Sequence, residues 1–262
     1  MILELDGVSC GYGNRRVLDK VELAVGEREN VCILGPNGVG KTTLFRTILG
    51  TLPGLEGEIR VDGRNVRRIP RRERARLMAY VPQAHTAPFP FKVMDVVLAG
   101  RTAHIGLTAH PTKHDEAVAA SSLARMGIDD LAQRPYTELS GGERQLVLIA
   151  RALAQEPKIL IMDEPSSYLD FGNQARLLEL VRRLVHERSL AVLMSSHFPN
   201  HAFACASKVA LIHRGKLLDS GQPGDVLTEA SLEKLYGIQV RILEGDPKTD
   251  PNLRACVARG GG

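Results

Sequence analysis

The sequence predicts an α/β protein with three parts: a mixed sheet built around one strand, loop and helix unit, an N-terminal antiparallel β subdomain, and an inserted α-helical subdomain. Three observations predict it. Apolar residues alternate at Ile2, Leu3 and Leu5, at Val21, Leu23 and Val25, and at Ile59 and Val61 before the turn pair Asp62 and Gly63, as in half-buried strands joined by tight turns. Short continuous apolar runs at Ile159 to Met162, Leu190 to Met194 and Val209 to Ile212, separated by helical text over 174–186, suit buried parallel strands. Between these regions, from residue 84 to 156, strand signals give way to three-or-four spacing at 93–98, 115–126 and 146–153. The expected organisation is therefore a core of residues 1–83 and 157–243, a helical subdomain of residues 84–156, and a flexible tail of residues 244–262, which is rich in Gly, Pro and charge.

Composition bounds the function classes. At 262 residues and 44% hydrophobic, the chain can bury one principal core with an insertion. Its 34 basic and 30 acidic side chains leave a net charge of +4, too small and dispersed to argue for nucleic acid. Cys10, Cys32, Cys205 and Cys256 show no C-x-x-C spacing, so free thiols in a reducing compartment are expected, and no metal cluster. The start, MILELDGVS, carries acids where a signal peptide needs bases, and no apolar run approaches the roughly 18 residues of a membrane span. A soluble, cytoplasmic chain is the expectation.

The most specific motif runs from Gly35 to Thr42. It reads G-x-x-x-x-G-K-T, comes after the short apolar strand Asn30 to Leu34, and opens a helix over 42–49 that Gly50 stops. That context predicts a P-loop NTPase core. Gly35, Pro36, Asn37, Gly38, Val39, Gly40, Lys41, Thr42 and Thr43 are the expected ATP-binding residues. The glycines let backbone N–H groups converge on phosphate, the helix adds the positive end of its dipole, and Lys41 adds a point charge. The Thr42 hydroxyl is placed to serve Mg²⁺.

A second run, ILIMDEPSS, ends an apolar strand in two carboxylates. Asp163 is placed to hold the magnesium shell, and Glu164 to accept a proton from an attacking water. A third stretch, LSGGERQLVLIARAL over 139–153, has the S-x-x-E form of a capping box before a helix whose expected buried face is Leu146, Ile149, Ala150 and Leu153. Capping leaves Gly141 and Gly142 unexplained, because each forgoes up to roughly 1 kcal/mol of helix propensity. Bare N–H groups approaching an anion closely would explain them, so this is a second expected phosphate site.

Together these motifs resemble the ATP-binding-cassette (ABC) ATPases over nearly the whole chain apart from the tail. LSGGERQ resembles their signature motif, with Leu139, Ser140, Gly141, Gly142 and Glu143 facing a partner's ATP. YVPQ puts Gln83 at the Q-loop glutamine, SYLD puts Asp170 in the D-loop, MSSHFPN makes His197 the switch histidine, and Tyr12 matches the aromatic that stacks on adenine. The resemblance implies that two copies sandwich two ATP molecules head to tail. It further implies that Thr42, Gln83 and Asp163 arrange Mg²⁺ and its waters, that Glu164, His197 and Gln83 are catalytic, and that Asp170 reports across the dimer seam. Ser166, Tyr168 and Val39 depart from common family choices without removing a catalytic atom.

With one P-loop and no fused span, the resemblance implies the separate ATPase subunit of an importer. Its expected partners are two transmembrane permease subunits and, indirectly, an extracytoplasmic substrate-binding protein, which puts the chain peripherally on the cytoplasmic face of the membrane. FPFKVMDVVLAGRTAHIG, just after Gln83, stands where the family docks the permease; helical core is the equal alternative. VLAGRTAHIG, LDFGNQ and HFPNHAF resemble cassettes for iron chelates, haem or cobalamin, a group that shades into molybdate and tungstate systems. The arginines at 64, 67, 68, 71, 72, 74 and 76 raise a rival of another class, a soluble cassette acting on nucleic acid. They carry no interleaved aromatics and are interrupted by Glu73, so a solvated helical face is expected and no nucleic-acid partner. A phosphoryl-transferring kinase on the same P-loop would have no use for Ser140, Gly141 and Gly142.

Overall fold

The computed structural model describes residues 1–83, 89–106, 108–188, 190–246 and 253–259. They form two compact units, residues 1–68 with residues 177 onward, and residues 69–176.

The first unit begins with β1 (Leu3–Tyr12), β2 (Arg15–Val25), β3 (Asn30–Leu34), α1 (Lys41–Ile48), β4 (Gly54–Val61) and β5 (Arg64–Asn65). Four of these strands make an antiparallel sheet in the order β2-β1-β4-β5. Its inward side chains are the ones the alternation predicts, Leu3, Leu5, Val21, Leu23, Val25, Ile59 and Val61 all being buried. Asp62 and Gly63 both take positive φ, 51° and 70°, the sense of turn that matches strand twist in a two-residue hairpin.

The second unit holds α2 (Arg71–Leu77), β6 (Met78–Val81), α3 (Val93–Leu98), α4 (Lys113–Met126), α5 (Gly141–Ala154) and β7 (Ile159–Met162). β6 and β7 are parallel, from Met78 opposite Ile159 to Val81 opposite Met162. The expected run of helices over 84–156 is present in α3, α4 and α5, while residues 84–88 lie outside the described residues. A capping box of Thr112 and Asp115 opens α4, and Gly127 at φ 65° closes it. Gly100, in the 3₁₀ turn after α3, lies so close to α5 that an added Cβ would stand 2.2 Å from the Arg151 carbonyl oxygen. Next to it the buried Arg101 donates to Asp115 Oδ1 (3.0 Å), to the Ala154 carbonyl (2.8 Å) and to Glu156 Oε2 (2.7 Å), tying that turn to α4 and the end of α5.

The arginine run is not one solvated face. Arg64 lies in β5, and Arg67 and Arg68 lie in a 3₁₀ turn, where Arg67 donates to the Gly54 carbonyl at 2.9 Å. Only Arg71 to Arg76 share a helix, α2, which buries no residue. There Arg72 donates to the carbonyls of Ala103 (2.9 Å) and Ile105 (2.6 Å), and Arg76 to that of Ala103 (2.9 Å), so both cap the carbonyl end of the turn that holds Arg101.

The division between the units falls inside α6 (Phe171–Arg188). Beyond it Leu177, Leu180, Val181, Leu184 and Val185 are buried at helical spacing. The first unit then adds β8 (Ala191–Ser196), α7 (Pro199–Cys205), β9 (Lys208–His213), β10 (Lys216–Gly221), α8 (Pro223–Val226), α9 (Glu229–Tyr236), β11 (Val240–Glu244) and β12 (Arg254–Ala258). β3 pairs in parallel with β8 and β9, and β9 pairs antiparallel with β10, so this sheet is mixed. Part of the expected tail is ordered instead. Residues 254–258 form β12 and pair with β11 from Val240 opposite Ala258 to Glu244 opposite Arg254. Flanking Gly, Pro and charge hide the short alternation that makes this strand, and residues 247–252 and 260–262 lie outside the described residues. No helix among the described residues is long and apolar enough to cross a membrane.

The Asp115 carboxyl is held well below its ordinary value of 3.8 by the Thr112 N–H, then the Thr112 hydroxyl, then Arg101. The folded state therefore binds that proton less readily than the unfolded state does. Its contribution to stability is complete above about pH 4 and is lost as pH falls through the depressed folded value. Asp115→Asn is expected to lower the melting temperature at neutral pH and to flatten its dependence on acid, as read by thermal melts between pH 7 and pH 3.

Candidate active site

Buried strands place the first half of the site. All five residues of β3 are buried, and Leu34 stands opposite Ser196 of β8, so Gly35 and His197 leave neighbouring parallel strands at the same edge. Crevices at the carboxyl ends of parallel strands are the usual ligand positions in α/β sheets. Glycine is obligatory twice in the loop. A Cβ on Gly35 would lie 2.5 Å from the Ile212 carbonyl oxygen, and Gly40 combines φ 113° with a Cβ position 2.7 Å from Val17 Cγ1. Pro36 and Val39 are half-buried, Asn37 and Gly38 are exposed, and Thr42 and Thr43 lie in the first turn of α1. The buried Lys41 ammonium turns back over the loop and donates to the carbonyls of Gly35 (2.7 Å) and Pro36 (3.2 Å). α4, α5 and α9 are opened by capping boxes, whereas α1 has neither a capping side chain nor an acid in its first turn. Its positive end is left for an anion. Tyr12 ends β1 and is 48% exposed.

The second unit holds the carboxylates. Val81 and Met162 end their strands side by side, so Gln83 and the pair Asp163–Glu164 emerge together. Asp163 and Glu164 are buried, and neither is a solvated turn residue. Gln83 Nε2 donates to Glu164 Oε2 at 3.1 Å, Ser167 Oγ donates to the Glu164 main-chain carbonyl at 3.0 Å and lies 3.3 Å from Oε2, and the Tyr80 hydroxyl donates to Asp163 Oδ2 at 3.3 Å. Glu164 takes φ 45°, a left-handed conformation rare for a residue with a side chain. Such strain persists only where surrounding contacts over-determine it, and it concentrates at functional sites.

The signature stretch caps its helix as expected. Ser140 caps α5: its Oγ accepts from the Glu143 N–H (3.2 Å) while Glu143 Oε2 accepts from the Ser140 N–H (2.7 Å), and this pairing lowers the Glu143 carboxyl. Glu143 is thereby engaged in capping. Leu139 is buried, and its carbonyl accepts from Arg144 Nε at 2.9 Å. The two glycines differ. A Cβ on Gly142 would press to 3.2 Å from Leu169 Cδ2, whereas one on Gly141 would meet Tyr168 at an ordinary 3.7 Å. Packing thus accounts for Gly142 and leaves Gly141, which is exposed, to the anion reading. The buried face of α5 is wider than expected, adding Gln145, Val147, Leu148, Ala152 and Ala154, while Leu146 is only half-buried.

Asp170 has a local task. Its Oδ1 accepts from the Asn173 N–H (2.8 Å), its Oδ2 from Asn173 Nδ2 (2.9 Å) and its carbonyl from the Gln174 N–H (2.8 Å), which makes it the N-cap of α6. Gln174 Nε2 in turn donates to the carbonyls of Leu169 (3.0 Å) and Ser166 (3.3 Å). Tyr80, Ser167 and Gln174 are site residues that sequence reasoning missed. Ser167, three residues after Glu164, was the most legible of them; Tyr80 needed β6 to be recognised as a strand.

No group of three or more His, Cys, Asp or Glu among the described residues forms a metal cage. Of the residues expected to serve Mg²⁺, Asp163 and Gln83 emerge together in the second unit and offer oxygen, the ligand type Mg²⁺ takes, while Thr42 lies in the first unit.

Strand, glycine loop and helix with an inward-turned lysine define a P-loop ATP-binding protein. The profile of the ABC transporter family matches residues 18–167. An ABC transporter ATP-binding protein of Haemophilus influenzae is 40% identical over 93% of this chain and 92% of its own. The hemin import ATP-binding protein HmuV of Gloeobacter violaceus is 37% identical over 99% of this chain and 98% of its own. A solved metal-chelate type ABC transporter in an inward-facing conformation superposes with a TM-score of 0.88 at 31% identity, covering 99% of this chain and 98% of that one. The chain belongs to the ABC transporter family and is its ATPase subunit.

Asp170→Ala removes the α6 cap and is expected to cost about 1 kcal/mol of stability in the monomer without nucleotide, read by denaturant titration. An unchanged midpoint would show that the carboxylate contributes nothing before a partner arrives.

Proposed function

We propose that this chain hydrolyses ATP to drive an importer of iron-siderophore, haem or cobalamin-type chelates. The observation that carries the mechanism is the buried Glu164, held at 3.1 Å by Gln83 beside Asp163. In this reading the loop from Gly35 to Thr43, with Lys41, cradles the triphosphate, and Tyr12 stacks on adenine. Thr42, Gln83 and Asp163 hold Mg²⁺, which supplies neutralisation of phosphate charge when bound. Glu164 takes a proton from the attacking water, and His197 keeps that water in line with the γ-phosphate.

Leu139, Ser140 and Gly141 of one copy complete the site of a second copy facing the opposite way, with Gly142 and Glu143 supporting them from behind. Contacts made only while the γ-phosphate is present give the two copies a reason to close on ATP and to part after hydrolysis. The names of the relatives support a metal-chelate cargo over molybdate or tungstate. A binding protein outside the membrane would deliver it, which puts this chain on the cytoplasmic face. Two permease subunits would dock near Phe89 and Phe91, exposed rings 6.0 Å apart in edge-on contact, whereas Val93 and Val97 of the same stretch are buried as helical core.

Glu164→Gln is expected to lower the hydrolysis rate by about 10²- to 10⁴-fold with ATP binding retained, as measured by phosphate release and equilibrium binding. Ser140→Arg is expected to abolish ATP-driven dimerisation and hydrolysis while the monomer still binds nucleotide, as read by size-exclusion chromatography with ATP. Full turnover by either variant would remove this mechanism. Cargo is tested separately, by mass spectrometry of the membrane partners that the chain retains in detergent and by which chelate stimulates their ATPase activity.

A further inference from the structure

We propose that Asn200 is a positioning residue for hydrolysis, holding the turn that carries His197 by gripping the C-terminal hairpin; this role rests on His197 being the residue that contacts the γ-phosphate. β8 ends at Ser196, and only His197 and Phe198 separate it from α7. The Phe198 ring lies between two imidazoles, 4.0 Å from that of His197 and 5.2 Å from that of His201. Ser196 Oγ accepts from the Phe198 N–H at 3.0 Å and lies 3.0 Å from His201 Nδ1. Burial lowers His201 to about 4, so the ring backing Phe198 is uncharged at neutral pH. The setting of His197 therefore depends on where the first turn of α7 sits.

That turn is weakly held from within. α7 has seven residues and no side-chain cap. It is held from outside by Asn200, whose Oδ1 accepts from the Cys256 N–H (2.7 Å) and whose Nδ2 donates to the Cys256 carbonyl (3.2 Å). In the hairpin Cys256 stands opposite Ile242, and the N–H groups of this pair leave by the two outer edges. Glu229 Oε1 takes that of Ile242 at 3.1 Å, and Asn200 takes that of Cys256. The Asn200 amide thus completes the open edge of β12 as another strand would, making both bonds that a ladder partner makes. At its other end β12 is tied by Arg254, which donates to the Gly224 carbonyl at 3.4 Å and pairs with Glu244 at 3.2 Å. A strand in the region expected to be a mobile tail is in this way connected, through one side chain, to the turn beside the proposed γ-phosphate sensor.

The test is steady-state ATP hydrolysis by the full-length chain. Asn200→Ala removes both bonds. Cys256→Pro removes only the outward N–H, and because that group is outside the ladder with β11, pairing of the hairpin survives. Each variant is expected to lower kcat about 3- to 10-fold with KM for ATP unchanged, the scale of losing one or two hydrogen bonds that set geometry. The double variant should fall no further than the lower single, and Asn200→Asp, which keeps the acceptor, should recover part of the loss. In a His197→Ala background Asn200→Ala should add nothing. Unchanged kcat in both single variants, while His197→Ala is impaired, overturns the role of Asn200 alone. A parallel rise in KM, or a further loss in the His197→Ala background, overturns it in favour of a merely structural bond. Full activity of His197→Ala overturns the reading of His197 and this inference with it.

Discussion

Buried parallel strands must hand over to polar backbone and charge at one edge, and each charge placed there has to be partnered before it leaves water. This constraint shapes Lys41, Asp163 and Glu164. β3 and β8 stop level with each other, as do β6 and β7, so the loop after each strand is brought beside the loop after its neighbour. Lys41 is buried and spends its protons on the carbonyls of its own loop. Asp163 and Glu164 are buried and take donors from Tyr80, Gln83 and Ser167. Each unit presents charges already oriented and already desolvated, the condition under which electrostatic stabilisation is strongest.

A second consequence concerns the loop that opens α5. Gly142 lies under Leu169, and Gln174 and Asp170 fasten the turn between β7 and α6. Within one copy they form a single packed surface.

Much of the fold was legible because local rules and tertiary structure agree. The alternation at the N-terminus, the positive-φ pair at Asp62 and Gly63, the capping box at Ser140 and the uncapped helix after the glycine loop all stem from residues within a few positions of one another. β6 was not legible. Its four residues, Met78 to Val81, come after an arginine-rich helix and are too few to show a period, and they become a strand because β7 supplies a ladder. β12 is the same case at the other end of the chain. Arg72 and Arg76 illustrate the converse: as a sequence pattern they form a charged face, and only the carbonyls of Ala103 and Ile105 make them caps.

The amino-acid order by itself determined the kind of chemistry, since phosphate loops, capping boxes and strand-end acids are short-range objects whose atoms are neighbours along the chain. It determined the order of most helices and strands for the same reason, β6 and β12 excepted. What tertiary structure alone decided is which neighbour each polar group meets: Gln83 with Glu164, Arg101 with Asp115, Asn200 with Cys256. The partners in these pairs are separated by 14 to 81 residues, and nothing in local propensity selects among the many donors and acceptors within that reach. Burial selects the partners of Glu164, Arg101 and Asp115, because a polar group taken from water keeps its place only where a partner is already waiting, whereas the exposed Asn200 is selected by the open edge of β12.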